Sequence, residues 1–275
     1  MLPDRLIVAL LLLPIGLATI AYGGVPLLLI ISILVALAAL EYADLFQRSG
    51  LAPSRWLVAG GAVALILTRH LFGFDHSGFT LTLILLIALA WYLRAYEKGS
   101  PRAATDFAVT AAGMIYLGWL GAYFISLRAL PGGTWWLLVA LTGVWFGDAA
   151  AFSIGRRFGR HPMSPRLSPR KTWEGYVASI VGGGLGSGLL SLVWQIAAPP
   201  GSGIGLVSGL LIGSLLGALG TLGDLAISML KREVGVKDSG NLLPGHGGAL
   251  DRIDSWIVGA ALGYYLVVGL MPLLR

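Results

Sequence analysis

The chain is 275 residues long, 56% of it hydrophobic and only 12% charged, with a mean hydropathy of +0.82, whereas a soluble domain carries about 25% charged residues. That balance excludes an ordinary water-soluble globule and places the chain in lipid. The absence of cysteine excludes disulfides and thiolate metal sites, and the net charge of +6 is scattered between apolar runs, which favours a membrane surface and an anionic substrate over nucleic acid.

Nine apolar stretches are long enough, or nearly so, to cross a hydrocarbon core that needs about 20 helical residues. They run at 6–22, 25–43, 56–72, 79–95, 107–127, 134–155, 175–197, 203–229 and 255–273. The first has Arg5 ahead of an apolar core, as a secretory leader does, but shows no convincing small-x-small cleavage site and is read as a span. The third and fourth are the least uniform, around Arg69 and His70. Gly182, Gly183, Gly184, Gly186 and Gly188 in the seventh and the series Gly201, Gly205, Gly209, Gly213 and Gly217 leading into and along the eighth read as close helix packing in lipid and are assigned no chemistry. The predicted class is all-α: a polytopic integral membrane protein with about nine transmembrane helices. Residues 1–140 are expected to be a structural set of helices, and residues 141–275 a catalytic region with polar loops.

Orientation follows from Lys and Arg. Fifteen of the nineteen lie in the loops after the second, fourth, sixth and eighth spans. The positive-inside rule places those loops in the cytoplasm and both termini outside, with Arg5 weighing the other way. The expected location is the cell inner membrane, with the polar face toward the cytoplasm.

Two of the cytoplasmic segments, 155–175 and 224–254, are far more polar than their surroundings. Long ordered loops are disproportionately functional. Asp148 and Asp224 fall inside the cytoplasmic ends of the sixth and eighth spans, each roughly 10 Å deep at 1.5 Å per residue. Asp251 and Asp254 enter the ninth span from the same side. A carboxylate at that depth costs several kcal/mol without a partner or water. Four carboxylates converging on one cavity would suit a hard cation, most naturally Mg²⁺. The simpler alternative pairs each with a nearby base, such as Asp251 or Asp254 with Arg252. The turn Pro244-Gly245-His246-Gly247-Gly248 can converge backbone amides on an anion. In the other segment, Ser168 reads as an N-cap with Pro169 at the first helical position, which would place Arg170, Lys171 and Thr172 at a helix N-terminus suited to anions.

These residues also form a recognisable string. Ser228, Lys231-Arg232, Lys237-Asp238, Gly240, Leu243-Pro244, His246-Gly247-Gly248 and Leu250-Asp251-Arg252-Ile253-Asp254 resemble the signature of the phosphatidate cytidylyltransferase family. Ser168-Pro169, Lys171-Thr172, Glu174-Gly175, Asp148 to Phe152 and Gly155-Arg156 are similar to further family features. Ala249 departs from the larger aliphatic residue usual there. The resemblance covers the C-terminal half well and the first 140 residues only as a generic set of spans.

The resemblance implies transfer of the cytidylyl group of CTP to phosphatidate, giving CDP-diacylglycerol and pyrophosphate, in a homodimer embedded in the bilayer. It implies Mg²⁺ on Asp224 and Asp251, accompanied by a monovalent cation such as K⁺; Asp148 and Asp254, from their depth, are further candidate ligands. It assigns Lys231, Lys237 and His246, with the two aspartates, to catalysis. Substrate contacts fall to Ser168, Lys171, Thr172, Glu174, Ser228, Arg232, Asp238, Gly247, Gly248 and Arg252. A CTP-dependent polyprenol kinase is the nearest rival, and a cation or lipid transporter a more distant one. No internal repeat supports the transporter.

Overall fold

The structure, a computed structural model, describes residues 13–240 and 247–270. His246, residues 6–12 of the first expected span and the end of the ninth lie outside the described residues.

Seven helical segments among the described residues are long and apolar enough to cross a bilayer. They are α2 (Gly24–Arg48), α3 (Arg55–Phe72), α4 (Ser77–Glu97), the composite Ala103–Ala129, α7 (Gly133–Phe158), α8 (Trp173–Trp194) and the composite Leu206–Glu233. α1 (Leu13–Tyr22) is the described end of the first expected stretch, and α11 (Leu250–Gly269) corresponds to the ninth. The chain is an all-α, multi-pass membrane protein.

Both composites depart from a plain helix. The first joins α5 (Ala103–Gly113) to a π-helical turn at Met114–Trp119 and then α6 (Tyr123–Ala129). The second, expected as one span over 203–229, is α9 (Leu206–Leu219) followed by α10 (Thr221–Glu233). The ladder slips to an i−3 bond from Gly223 N–H to the Gly220 carbonyl, 3.0 Å, where two glycines in four residues weaken the helix. Asp224 therefore sits within that span, as expected, but in the first turn of its second helix.

A second correction concerns Ser168. It caps no helix: Ser168–Thr172 is strand β2, paired antiparallel with β1 (Pro162–Ser164), and α8 starts at Trp173. Proline suits a first helical turn, but it also drives the preceding residue extended, and here the second effect prevails. Thr172 takes the capping role, its side chain accepting the Gly175 N–H at 3.2 Å.

The chain forms two compact units. One gathers residues up to Ser126 with Leu230–Ile253, and the other Leu127–Met229 with the chain from Asp254 onward. In the first, Leu65, Ile84, Ala88 and Met114 form a buried cluster. Arg69, 3% exposed inside α3, gives hydrogen bonds to the Ser77 and Ser126 hydroxyls at 3.0 and 2.8 Å and lies over the Phe74 ring at 3.6 Å. Such contacts let a guanidinium reside in a span. In the second unit, α7, α8 and α9 pack backbone to backbone. A Cβ on Gly183 would lie 2.6 Å from the Gly213 carbonyl and 2.7 Å from that of Gly143. The Ser179 hydroxyl gives to the Gly217 carbonyl and that of Ser187 to the Val139 carbonyl, both at 2.9 Å. The glycines serve close approach, as expected.

Candidate active site

In the second unit, the end of α7 and the start of α8 meet through small residues. A Cβ on Gly175 would stand 2.9 Å from the Ala151 carbonyl, and one on Gly155 3.2 Å from the Thr172 hydroxyl. Positions 148, 151 and 152 share one face of α7. They border a cavity of about 360 Å³ lined also by Met163, Arg170, Lys171, Thr172, Gly175, Tyr176, Thr221 and Asp224. The hairpin supplies the two cations, α7 and α10 the two carboxylates, and Phe152, Met163 and Tyr176 an apolar flank.

The electrostatic centre of this cavity is an ion pair. The Lys171 Nζ lies 2.7 Å from Asp224 Oδ2, and the Ser228 hydroxyl one turn along α10 gives a 3.2 Å hydrogen bond to Oδ1. Both charged side chains remain accessible from the cavity, at 24% and 40% exposure, so a ligand can compete for either. The divalent cation implied by the resemblance fits this donor set. Two carboxylates line the cavity with oxygen donors only, and an ammonium already seats positive charge against one of them. No three acidic or histidine side chains are grouped as metal ligands among the described residues. A cation held here would complete its shell with water and substrate oxygens, which is the habit of Mg²⁺.

The first unit holds a second charged cluster. Lys231 Nζ gives a 2.6 Å hydrogen bond to Asp251 Oδ1, both side chains being largely buried. Asp251 Oδ2 accepts the Ser239 N–H and hydroxyl, each at 3.0 Å, and the Gly248 N–H at 3.2 Å. The partner of Asp251 is thus Lys231, not the adjacent Arg252. Burial alone would raise the pKa of Asp251, in the turn ahead of the apolar run at 255. The Lys231 ammonium and the Ser239 and Gly248 N–H groups outweigh it and hold the carboxyl below its ordinary value. Gly247 opens this turn at φ +81°, a conformation that favours glycine. The next three amides, of Gly248, Ala249 and Leu250, all give to protein carboxylates: the first to Asp251, the other two to Glu41 on α2.

Glu41 was not singled out in the sequence, although an acid within the apolar run of α2 is the kind of signal that marks function in a membrane chain.

The remaining expected residues are more dispersed. Glu174 faces His161, with 2.6 Å between Oε1 and Nδ1, and closes the base of the hairpin outside the cavity lining. Ser168 pairs with Ser164 in the strand register. Arg232 gives to the Val236 carbonyl at 2.9 Å, Lys237 and Asp238 are exposed in the following loop, and Arg252 is exposed on α11. Asp254 is buried and accepts the Ser255 N–H at 2.6 Å.

Residues 3–270 match the cytidylyltransferase family. The chain is 32% identical to the phosphatidate cytidylyltransferase of Synechocystis sp., over 99% of this chain and 98% of that protein. It is 37% identical to the enzyme of the same name from Brucella suis, over 96% and 92% respectively. To phosphatidate cytidylyltransferase 5, chloroplastic, of Arabidopsis thaliana it is 35% identical, over 89% of this chain and 66% of the relative.

Proposed function

The chain belongs to the cytidylyltransferase family, and from that membership we propose that it transfers the cytidylyl group of CTP to phosphatidate, releasing pyrophosphate and leaving CDP-diacylglycerol in the membrane. The observation that carries the reading to particular residues is the cavity in which Lys171 meets Asp224, with Arg170 and Asp148 on its wall. It offers both signs of charge to a reaction whose reactants are both anionic.

A phosphate oxygen of phosphatidate forms the new bond to the α-phosphorus of CTP. The bond from that phosphorus to the bridging oxygen breaks, and the electron pair leaves on pyrophosphate. A phosphate monoester has its second pKa near 6, so the attacking oxygen is largely ionised at neutral pH and no residue has to remove a proton. What the protein must supply is charge compensation and alignment. Lys171 and Arg170, on a strand stiffened by the hairpin, meet the phosphates. Thr172 caps α8 and so fixes the end of that strand. Phe152, Met163 and Tyr176 give the glycerol end of the lipid an apolar surface. Asp148 and Asp224 would hold Mg²⁺ in this cavity; the ion when bound would supply Lewis-acid stabilisation and a template for phosphate oxygens. The site faces the cytoplasm from the inner membrane, in keeping with the basic loops that border it, and the resemblance adds a homodimer.

Purified protein in phosphatidate-containing micelles is expected to release pyrophosphate from CTP only when phosphatidate and Mg²⁺ are both present. Release of CDP in its place would replace this reading with the lipid-kinase one.

A further inference from the structure

Glu41 lies on α2, far in sequence from the family signature, yet its carboxylate is enclosed by it. Oε1 accepts the Ala249 N–H at 2.9 Å, and Oε2 accepts the Leu250 N–H and the Ser239 hydroxyl, each at 3.0 Å. The first amides of a helix have no acceptor within it. α11 begins at Leu250, and Glu41 caps it from another helix, a placement that the helix dipole also favours for an anion. Ser239 then joins Glu41 to Asp251. Its single hydroxyl proton faces Oε2 of one and Oδ2 of the other, both at 3.0 Å, while its N–H is given to Asp251.

Space supports the same conclusion independently. A Cβ on Gly240 would stand 2.6 Å from Glu41 Oε1, and one on Gly248 would overlap both Glu41 Oε2 and the Ser239 hydroxyl. Two glycines of the signature string thus leave room for this one carboxylate.

We propose that Glu41 is a positioning residue for cytidylyl transfer: it clamps the Gly248–Leu250 turn and Ser239 so that Asp251 stays aimed at Lys231. This rests on the reading that Asp251 serves the reaction. Glu41 itself meets no substrate. Removing it releases the turn and lets the Asp251 carboxylate rotate away from Lys231.

The experiment compares Glu41→Gln, Ser239→Ala, Asp251→Asn and Tyr92→Phe in the full-length protein, by steady-state kinetics and thermal unfolding. Glutamine keeps the size of Glu41 but presents an NH₂ to backbone donors. Loss of a comparable outer-shell partner typically costs 10- to 100-fold. Glu41→Gln is expected to lower kcat by about tenfold or more, with the KM for CTP within about twofold of wild type. Ser239→Ala keeps the backbone donor and gives the same kcat-selective loss on a smaller scale, so it carries the test if Glu41→Gln does not fold. Tyr92→Phe removes a buried structural hydroxyl of the same unit, bonded to Thr110 at 2.7 Å. It is expected to lower Tm and leave kcat unchanged. Wild-type kcat in Glu41→Gln and Ser239→Ala, beside an inactive Asp251→Asn, would overturn the positioning role alone. The same holds if their whole loss appears in KM. Wild-type turnover in Asp251→Asn would overturn the reading of Asp251 and the role of Glu41 with it.

Discussion

Lys171 and Asp224 form a 2.7 Å ion pair between a β-hairpin and the first turn of a helix that restarts after a break. Each member is half of a function. The carboxylate is suited to a cation and the ammonium to a phosphate, and in this structure each neutralises the other.

Lys171→Ala is expected to lower kcat/KM by about 10²- to 10³-fold, the usual cost of removing one preorganised donor to developing charge. Lys171→Arg should recover part of the loss, since the charge returns with a different shape. Steady-state rates with CTP and phosphatidate in mixed micelles measure both. A loss under threefold in Lys171→Ala would remove this side chain from the phosphate path.

Asp224→Asn is expected to abolish turnover at ordinary Mg²⁺ while the protein still inserts and unfolds cooperatively. The substitution keeps the shape and one acceptor, so only charge is lost. Near-normal turnover would remove Asp224 from the metal site.

Much of this arrangement is legible in the sequence, and the exceptions have identifiable causes. The apolar runs mark the spans because a bilayer demands about 20 residues of helix. Asp148 and Asp224 stand out because acids are rare at that depth, and they do line one cavity. The hairpin at Ser168–Thr172 was missed because Ser-Pro serves a helix start and an extended strand equally well, and backbone pairing with Pro162–Ser164 decides between them. The break at Gly220 falls inside one span-length stretch, where the 220 and 223 glycine pair and the more polar composition from Asp224 onward hint at it. Glu41 escaped because its partners are backbone amides some two hundred positions away, which no local pattern reveals.

The α7, α8 and α9 contact should tolerate no added atoms. In Gly213→Val the new side chain meets the Gly183 backbone and the Ser187 Cβ, the latter 2.7 Å from the added Cβ. Overpacking of this kind costs about 1–3 kcal/mol, seen as a lowered Tm in detergent. Gly60→Ala in α3, whose Cβ would meet nothing within 4 Å, serves as the comparison and should leave Tm unchanged or slightly raised. Equal Tm values for the two variants would contradict the packing described.

Thr172→Val removes the hydroxyl that caps α8 and is expected to cost about 1 kcal/mol. Thr172→Ser should restore most of it. Thermal unfolding of the three proteins under one condition is the measurement, and a valine variant as stable as wild type would show that the cap contributes nothing.

The central claim is that the lipid phosphate attacks the α-phosphorus of CTP. Purified protein given unlabelled phosphatidate, Mg²⁺ and CTP labelled at either the α- or the γ-phosphate tests it most directly, by following which label enters the organic phase. The account predicts that α-label passes into lipid and γ-label stays in water as pyrophosphate. Transfer of γ-label to the lipid, or of neither label by well-folded protein, would contradict it.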